Sequence, residues 1–174
     1  IPLAHKDEDG KIIEEQIDFK EALKQLNNIL SNSSLIKIGH NIKYDIAVLK
    51  RYKIDVVSFE DTMLMSYIND AGNHRHGMDE LAKVHFNRDT IKFKDVVGTG
   101  KSQITFDYVE IEKAIEYAAE DAEITFKLYL LLKKKLSEEK NISAYNYLEK
   151  PLVASILEME INGIKINTEY LQSL

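Results

Sequence analysis

The sequence predicts an α/β fold in which a sheet is flanked by helices. Three observations carry this expectation. Leu35-Ile36-Lys37-Ile38-Gly39-His40 is an apolar run too short for a helix, and Val56-Val57-Ser58-Phe59 is a second, β-branched one. Between them Ala47, Val48, Leu49 and Tyr52 follow helical spacing, so the order is strand, helix, strand, which implies a parallel pair. A long amphipathic segment from Val109 to about Lys135 supplies a helix to cover the sheet.

The remaining elements follow in chain order. Ile1 to His5 alternates enough for a strand, and Lys6-Asp7-Glu8-Asp9-Gly10 is a solvated turn. Asp18 is placed to cap a helix whose apolar residues are Phe19, Ala22, Leu23, Leu26, Ile29 and Leu30, ended by Asn32-Ser33-Ser34. Asp61 caps a helix through Met65 and Ile68, and the polar stretch Ala71 to Gly77 leads to another around Leu81, Ala82 and Val84. Arg88 to Thr105 is irregular, with short helical turns. In the long helix, Ile111, Ile115, Ala118, Ala122, Phe126, Tyr129 and Leu132 form one expected buried stripe. Pro151 suits the first turn of a helix through Leu152, Ile156 and Met159. Gly163 caps it before a short strand, Ile164 to Ile166, and Tyr170 to Leu174 begins a further helix.

The 174 residues are the size of one domain, with 44% hydrophobic and 30% charged residues. No apolar run reaches the roughly 20 residues that cross a bilayer, and the cytoplasm is the expected location. The absence of Cys excludes disulfides, thiolate metal sites and Cys nucleophiles. A net charge of -6 argues against a protein that coats nucleic acid through bulk charge, but not against an enzyme that holds one strand end with the help of metal ions.

Two motifs carry the chemistry. Asn41-Ile42-Lys43-Tyr44-Asp45 follows the first strand, and the carboxyl ends of strands are where open α/β sheets place ligand sites. The plain alternative is that Asn41 and Asp45 only cap the next helix. Tyr117-Ala118-Ala119-Glu120-Asp121 lies on the long helix, where residues four apart are neighbours. At 100° per residue Asp121 lies about 80° and Tyr117 about 120° from the stripe centre, on the same side. Phosphodiester hydrolysis with two metal ions needs several carboxylates holding ions about 3.5–4 Å apart. Asp45 and Asp121 are suitable ligands, and Tyr117 can orient water.

Three other patterns are weaker. Gly98-Thr99-Gly100-Lys101-Ser102 lacks the first glycine of a phosphate loop, since Asp95 stands there. His74-Arg75-His76 offers two imidazoles but no carboxylate at ligand spacing, so it reads as a polar loop. Lys133-Lys134-Lys135 reads as the solvated end of its helix.

The two acidic motifs resemble the second and third exonuclease motifs of the proofreading domain of family A DNA polymerases, the bacterial DNA polymerase I type. The resemblance extends to Asp61-Thr62-Met63, Arg75, Met78-Asp79, Leu81-Ala82, Phe93 and Thr105-Phe106. It also takes in Pro151-Leu152, Glu158-Met159-Glu160 and Gly163-Ile164. It implies a ribonuclease H-like fold with a mixed sheet, an exonuclease domain over residues 1–148, and the start of a polymerase domain over 149–174. It implies 3′-5′ hydrolysis of a mispaired DNA primer end, with two divalent ions, Mg²⁺ or Mn²⁺ with Zn²⁺ also admissible. Asp121 and Asp45 would be metal ligands, and Tyr117 would position the water. Asn41 and Arg75 would contact the strand, and Phe93 would pack near the frayed 3′ end. The family's first motif, Asp-x-Glu on a first strand, has no counterpart after Ile1, so the chain is expected to begin beyond that strand and to be inactive alone. The implied partners are single-stranded DNA and the rest of a polymerase chain. Two other readings stay open: a silent structural or strand-binding module, and a related RNA exonuclease. With the central strand absent, either Ile1 to His5 pairs with Leu35 to His40, or two chains pair edges as a dimer.

Overall fold

A computed structural model describes residues 1–14 and 16–173. Two short strands, β1 (Lys37–Gly39) and β2 (Phe59–Asp61), pair in parallel with Gly39 opposite Asp61. Helix α2 (Ile42–Lys50) connects them, so the expected strand-helix-strand unit forms. The second strand lies about three residues later than the apolar run Val56-Val57 suggests. Val57 is used differently: its amide donates to the Leu30 carbonyl at the end of helix α1 (Phe19–Leu30). Helix α1 starts where expected, with the Asp18 side chain accepting from the Glu21 amide at 3.0 Å.

Helices α3 (Thr62–Asp70) and α4 (Met78–Phe86) pack against α6 (Ile111–Glu138). Their shared core contains Met65, Leu81, Ile124, Leu128, Leu132 and Leu136, all essentially removed from water. Between α4 and α6 lie α5 (Phe93–Val97) and two single 3₁₀ turns, as the irregular stretch implies. Gly98 follows α5 and Gly100 opens a single 3₁₀ turn, so the segment does not join a strand to a helix and no phosphate loop is built there.

After α6, α7 (Ile142–Ala144), a π turn (Tyr145–Glu149) and α8 (Lys150–Asn162) run on without a break, with Pro151 in the first turn of α8. Val153 and Leu157 of α8 bury against Ile42 and Ile46 of α2. Gly163, at φ 68° and ψ -170°, ends α8 as expected, in a positive-φ conformation that glycine adopts without a Cβ clash.

Four expectations are corrected. Ile1 to His5 is not a strand: Ala4 turns into the left-handed region, and His5 is tied to the Val109 carbonyl through Nδ1 at 3.0 Å. The segment therefore does not pair with β1, whose partner among the described residues is β2 alone. The sheet is consequently parallel and two-stranded, not mixed. Ile164 to Ile166 is also no strand, because no neighbouring strand offers it hydrogen bonds; Ile164 is 91% exposed. Helix α9 (Thr168–Gln172) follows, and the expected end at Leu174 lies outside the described residues.

The fourth correction concerns α6. Its buried line is Ala114, Ile124, Leu128, Tyr129, Leu132 and Leu136, while Ile115 and Phe126 are about half exposed (52% and 53%). Periodicity located an apolar face correctly, but α3 and α4 contact the helix about one position round from it. Two residues of the expected stripe, Ala122 and Phe126, line an open cleft.

Candidate active site

The cleft, of about 510 Å³, lies beyond the carboxyl end of β1 and is lined by Gly39, His40 and Asp45 on one side and by Asp121, Ala122, Thr125 and Phe126 on the other. Gly39 is required there by close approach: a Cβ would stand 2.8 Å from the Ile42 side chain. The chain then turns through Asn41 in the left-handed conformation, φ 58° and ψ 46°, which Asn tolerates better than most residues.

The capping alternative for this motif fails. The Asn41 side chain makes no capping bond. Instead the fully buried Asp61 reaches across from β2, accepting the Asn41 amide at 3.1 Å and the Ile42 amide at 3.0 Å. The same carboxylate accepts Met63 and Leu64 amides at 2.9 and 3.3 Å, so it caps α2 and α3 together. Asp45, in the first turn of α2, is thereby released from capping and faces the cleft.

Tyr117 and Asp121 lie one turn apart on α6, where the phenol and the carboxylate influence each other's ionisation. Burial, then the neighbouring Asp121 carboxylate, pushes the Tyr117 phenol up to about 12, so it stays protonated at neutral pH. Asp121 itself is raised above the usual carboxylate range, chiefly by desolvation, with Asp79 and Glu120 adding repulsion and the Tyr117 phenol opposing it. Desolvation likewise raises Asp45, and Asp61 adds to it. Neither Asp45 nor Asp121 has a cationic partner among the described residues. Two such carboxylates facing one cleft are a donor set of hard oxygens suited to divalent cations.

Phe93 stacks on Phe106 with centroids 6.0 Å apart and planes 15° off parallel, and both rings lie 6.1 Å from Tyr117. Phe93 is half exposed, so the cluster presents an aromatic surface beside the phenol. Arg75 is exposed in the loop between α3 and α4 and does not line the cleft.

His40 was not singled out by sequence, although its place at the end of β1 is the signal that could have found it. The Thr62 hydroxyl donates to the Gly39 carbonyl at 3.1 Å, so its oxygen accepts from His40 Nδ1 at 2.8 Å. That bond leaves the lone pair on Nε2, which is buried without a partner, and desolvation lowers the pKa of the ring.

The decisive comparison is with known families: residues 1–137 match the 3′-5′ exonuclease family. The chain belongs to that family. Along nearly its whole length, the chain is also similar to a part of DNA polymerase I proteins. The chain is 42% identical to DNA polymerase I of Rhizobium leguminosarum over 179 residues, covering 100% of the chain and 18% of that relative. It is 36% identical to the Pseudomonas aeruginosa DNA polymerase I, covering 98% of the chain and 19% of the relative. With that of Borreliella burgdorferi the identity is 34%, over 99% and 18%. The exonuclease chain thus spans about a fifth of the length of these relatives. Among its described residues, no helix is long and apolar enough to cross a membrane.

Proposed function

We propose that the cleft hydrolyses the 3′-terminal phosphodiester of DNA, acting as the proofreading site of a longer DNA polymerase I in the cytoplasm. The observation that carries this is Asp121 of α6, with Tyr117 one turn away on the same helix, facing Asp45 of α2 across one cleft. The α/β core and family membership support a ribonuclease H-like arrangement, with residues 149–174 leading toward the polymerase domain.

Each residue has a role in this reading. Asp121 and Asp45 would hold the divalent ions, Mg²⁺ or Mn²⁺, which when bound supply the positive charge that phosphoryl chemistry requires. Tyr117, kept neutral, accepts or donates one hydrogen bond to the attacking water and fixes its direction. Asn41, its side chain free because Asp61 does the capping, contacts the strand end, and Arg75 meets its phosphates. Phe93, backed by Phe106, stacks on an unpaired base. Relatedness to DNA polymerases favours DNA over RNA as substrate.

Two carboxylates are too few to hold two ions tightly, so the 174-residue chain by itself is expected to be nearly inactive. The test is digestion of a 3′-labelled oligonucleotide with Mg²⁺ or Mn²⁺, by this chain and by a longer polymerase that contains it. Release of mononucleotides by the polymerase alone, lost on Asp45→Ala or Asp121→Ala, is the expected result. Undiminished release by either variant would overturn the reading.

A further inference from the structure

A second cluster of metal-binding side chains lies outside the cleft, where α3 and α4 approach each other. Asp70 ends α3, His74 stands in the loop from Ala71 to Gly77, and His85 lies in the last turn of α4. Each offers one ligand atom, and the three atoms lie within 4.8 Å of one another. His74 is shared with the loop pair His74 and His76 weighed from the sequence, but the carboxylate and the second imidazole come from the helices either side of the loop.

The hydrogen bonding prepares the His74 imidazole. His74 Nδ1 donates to the Arg75 carbonyl at 2.8 Å, which leaves the lone pair on Nε2. The Nε2 atoms of His74 and His85 are both buried without any hydrogen-bond partner. Unpaired buried ring nitrogens are costly, and a shared cation satisfies both. Lys135 donates to both Asp70 oxygens at 2.7 Å, which fixes the carboxylate, and each oxygen keeps a further lone pair. His76, although its ring lies 5.1 Å from that of His74, is engaged with Ser66 and takes no part.

We propose that Asp70, His74 and His85 form a structural site for a divalent transition ion, Zn²⁺ foremost, that clips the end of α3 to the end of α4. Two imidazoles and one carboxylate suit Zn²⁺, whereas Mg²⁺ prefers oxygen ligands throughout. Ligands about 2.0–2.1 Å from a tetrahedral Zn²⁺ stand about 3.3 Å apart. The present spacing therefore closes with small side-chain rotations, and the fourth position is left to water. The bound ion would close the loop that carries Arg75. This site is separate from the cleft and does not rest on the nuclease reading.

The test uses the chelator-stripped chain titrated with Co²⁺ and then Zn²⁺, followed by visible absorption and thermal unfolding. Expected are Co²⁺ ligand-field bands that Zn²⁺ displaces, and a rise in melting temperature with Zn²⁺. His74→Ala, in a loop and outside the core, should keep the native circular dichroism. It should still lose affinity by more than the about 10–100-fold typical of outer-ligand losses. His85→Ala should lose binding as well, and Lys135→Met should tighten it by freeing Asp70. Asp45→Ala with Asp121→Ala should leave the bands intact. Bands that persist in His74→Ala, or that vanish only with the two cleft substitutions, would overturn the proposal.

Discussion

The Asp61 carboxylate lies 3.1 Å from the backbone nitrogen of Asn41, and this one bond decides what both residues do. It ties the end of β2 to the start of α2, and it leaves the Asn41 side chain without a structural task. Asp61→Ala would strip acceptors from four amides at two helix starts. Losses of buried charged acceptors and caps point to a destabilisation of about 3–5 kcal/mol. Asn41→Gly should be nearly neutral for stability, since Gly accepts φ 58° freely. Urea denaturation of both variants checks the contrast, and a larger loss from Asn41→Gly than from Asp61→Ala would refute it.

In a polymerase containing this domain, Asp121→Ala should abolish exonuclease activity while polymerisation persists. Tyr117→Phe should weaken it less, by at most the about 10²–10⁴-fold typical of positioning and proton-transfer groups. The ranking is the sensitive part. Single-turnover digestion of a mispaired primer gives both numbers, and a more damaging Tyr117→Phe would reverse the assigned roles.

The raised pKa of Asp121 makes a statement about stability. A carboxyl raised in the folded state binds its proton more tightly there than in the unfolded chain, so folding is penalised at neutral pH. The penalty fades as pH falls through the folded pKa toward the ordinary carboxylate range. In metal-free buffer Asp121→Asn should therefore be more stable than wild type at pH 7, with the advantage shrinking in acid. Thermal melts across pH 3–8 test this, and an advantage that grows in acid would contradict it.

Among the described residues, β1 makes its ladder on one side only. The Lys37 amide donates to the Ser58 carbonyl at 2.9 Å, so alternation turns the Ile38 amide to the opposite, open side. In the isolated chain the Ile38 amide should exchange with solvent at least about tenfold faster than that of Lys37. Hydrogen exchange followed by NMR reads this directly. Equal protection would show that another strand, or a second copy of the chain, pairs with this edge.

Much was legible in the sequence because the signals are local. Asp18 and Asp61 as caps, Gly163 as a stop, and the parallel strand-helix-strand unit follow from capping chemistry and periodicity within a few residues of each position. The Tyr117–Asp121 partnership was equally local, since a helix places residues four apart side by side. Three things depended on long-range packing. The buried face of α6 was set by where α3 and α4 lie, which periodicity alone does not state. Asp45 was freed for the cleft by Asp61, 16 positions further along the chain. His74 met Asp70 and His85 only because a loop folds back between two helices. Hydrogen-bond geometry within one turn is written in neighbouring residues, whereas the angle between packed helices is the outcome of every contact in the core.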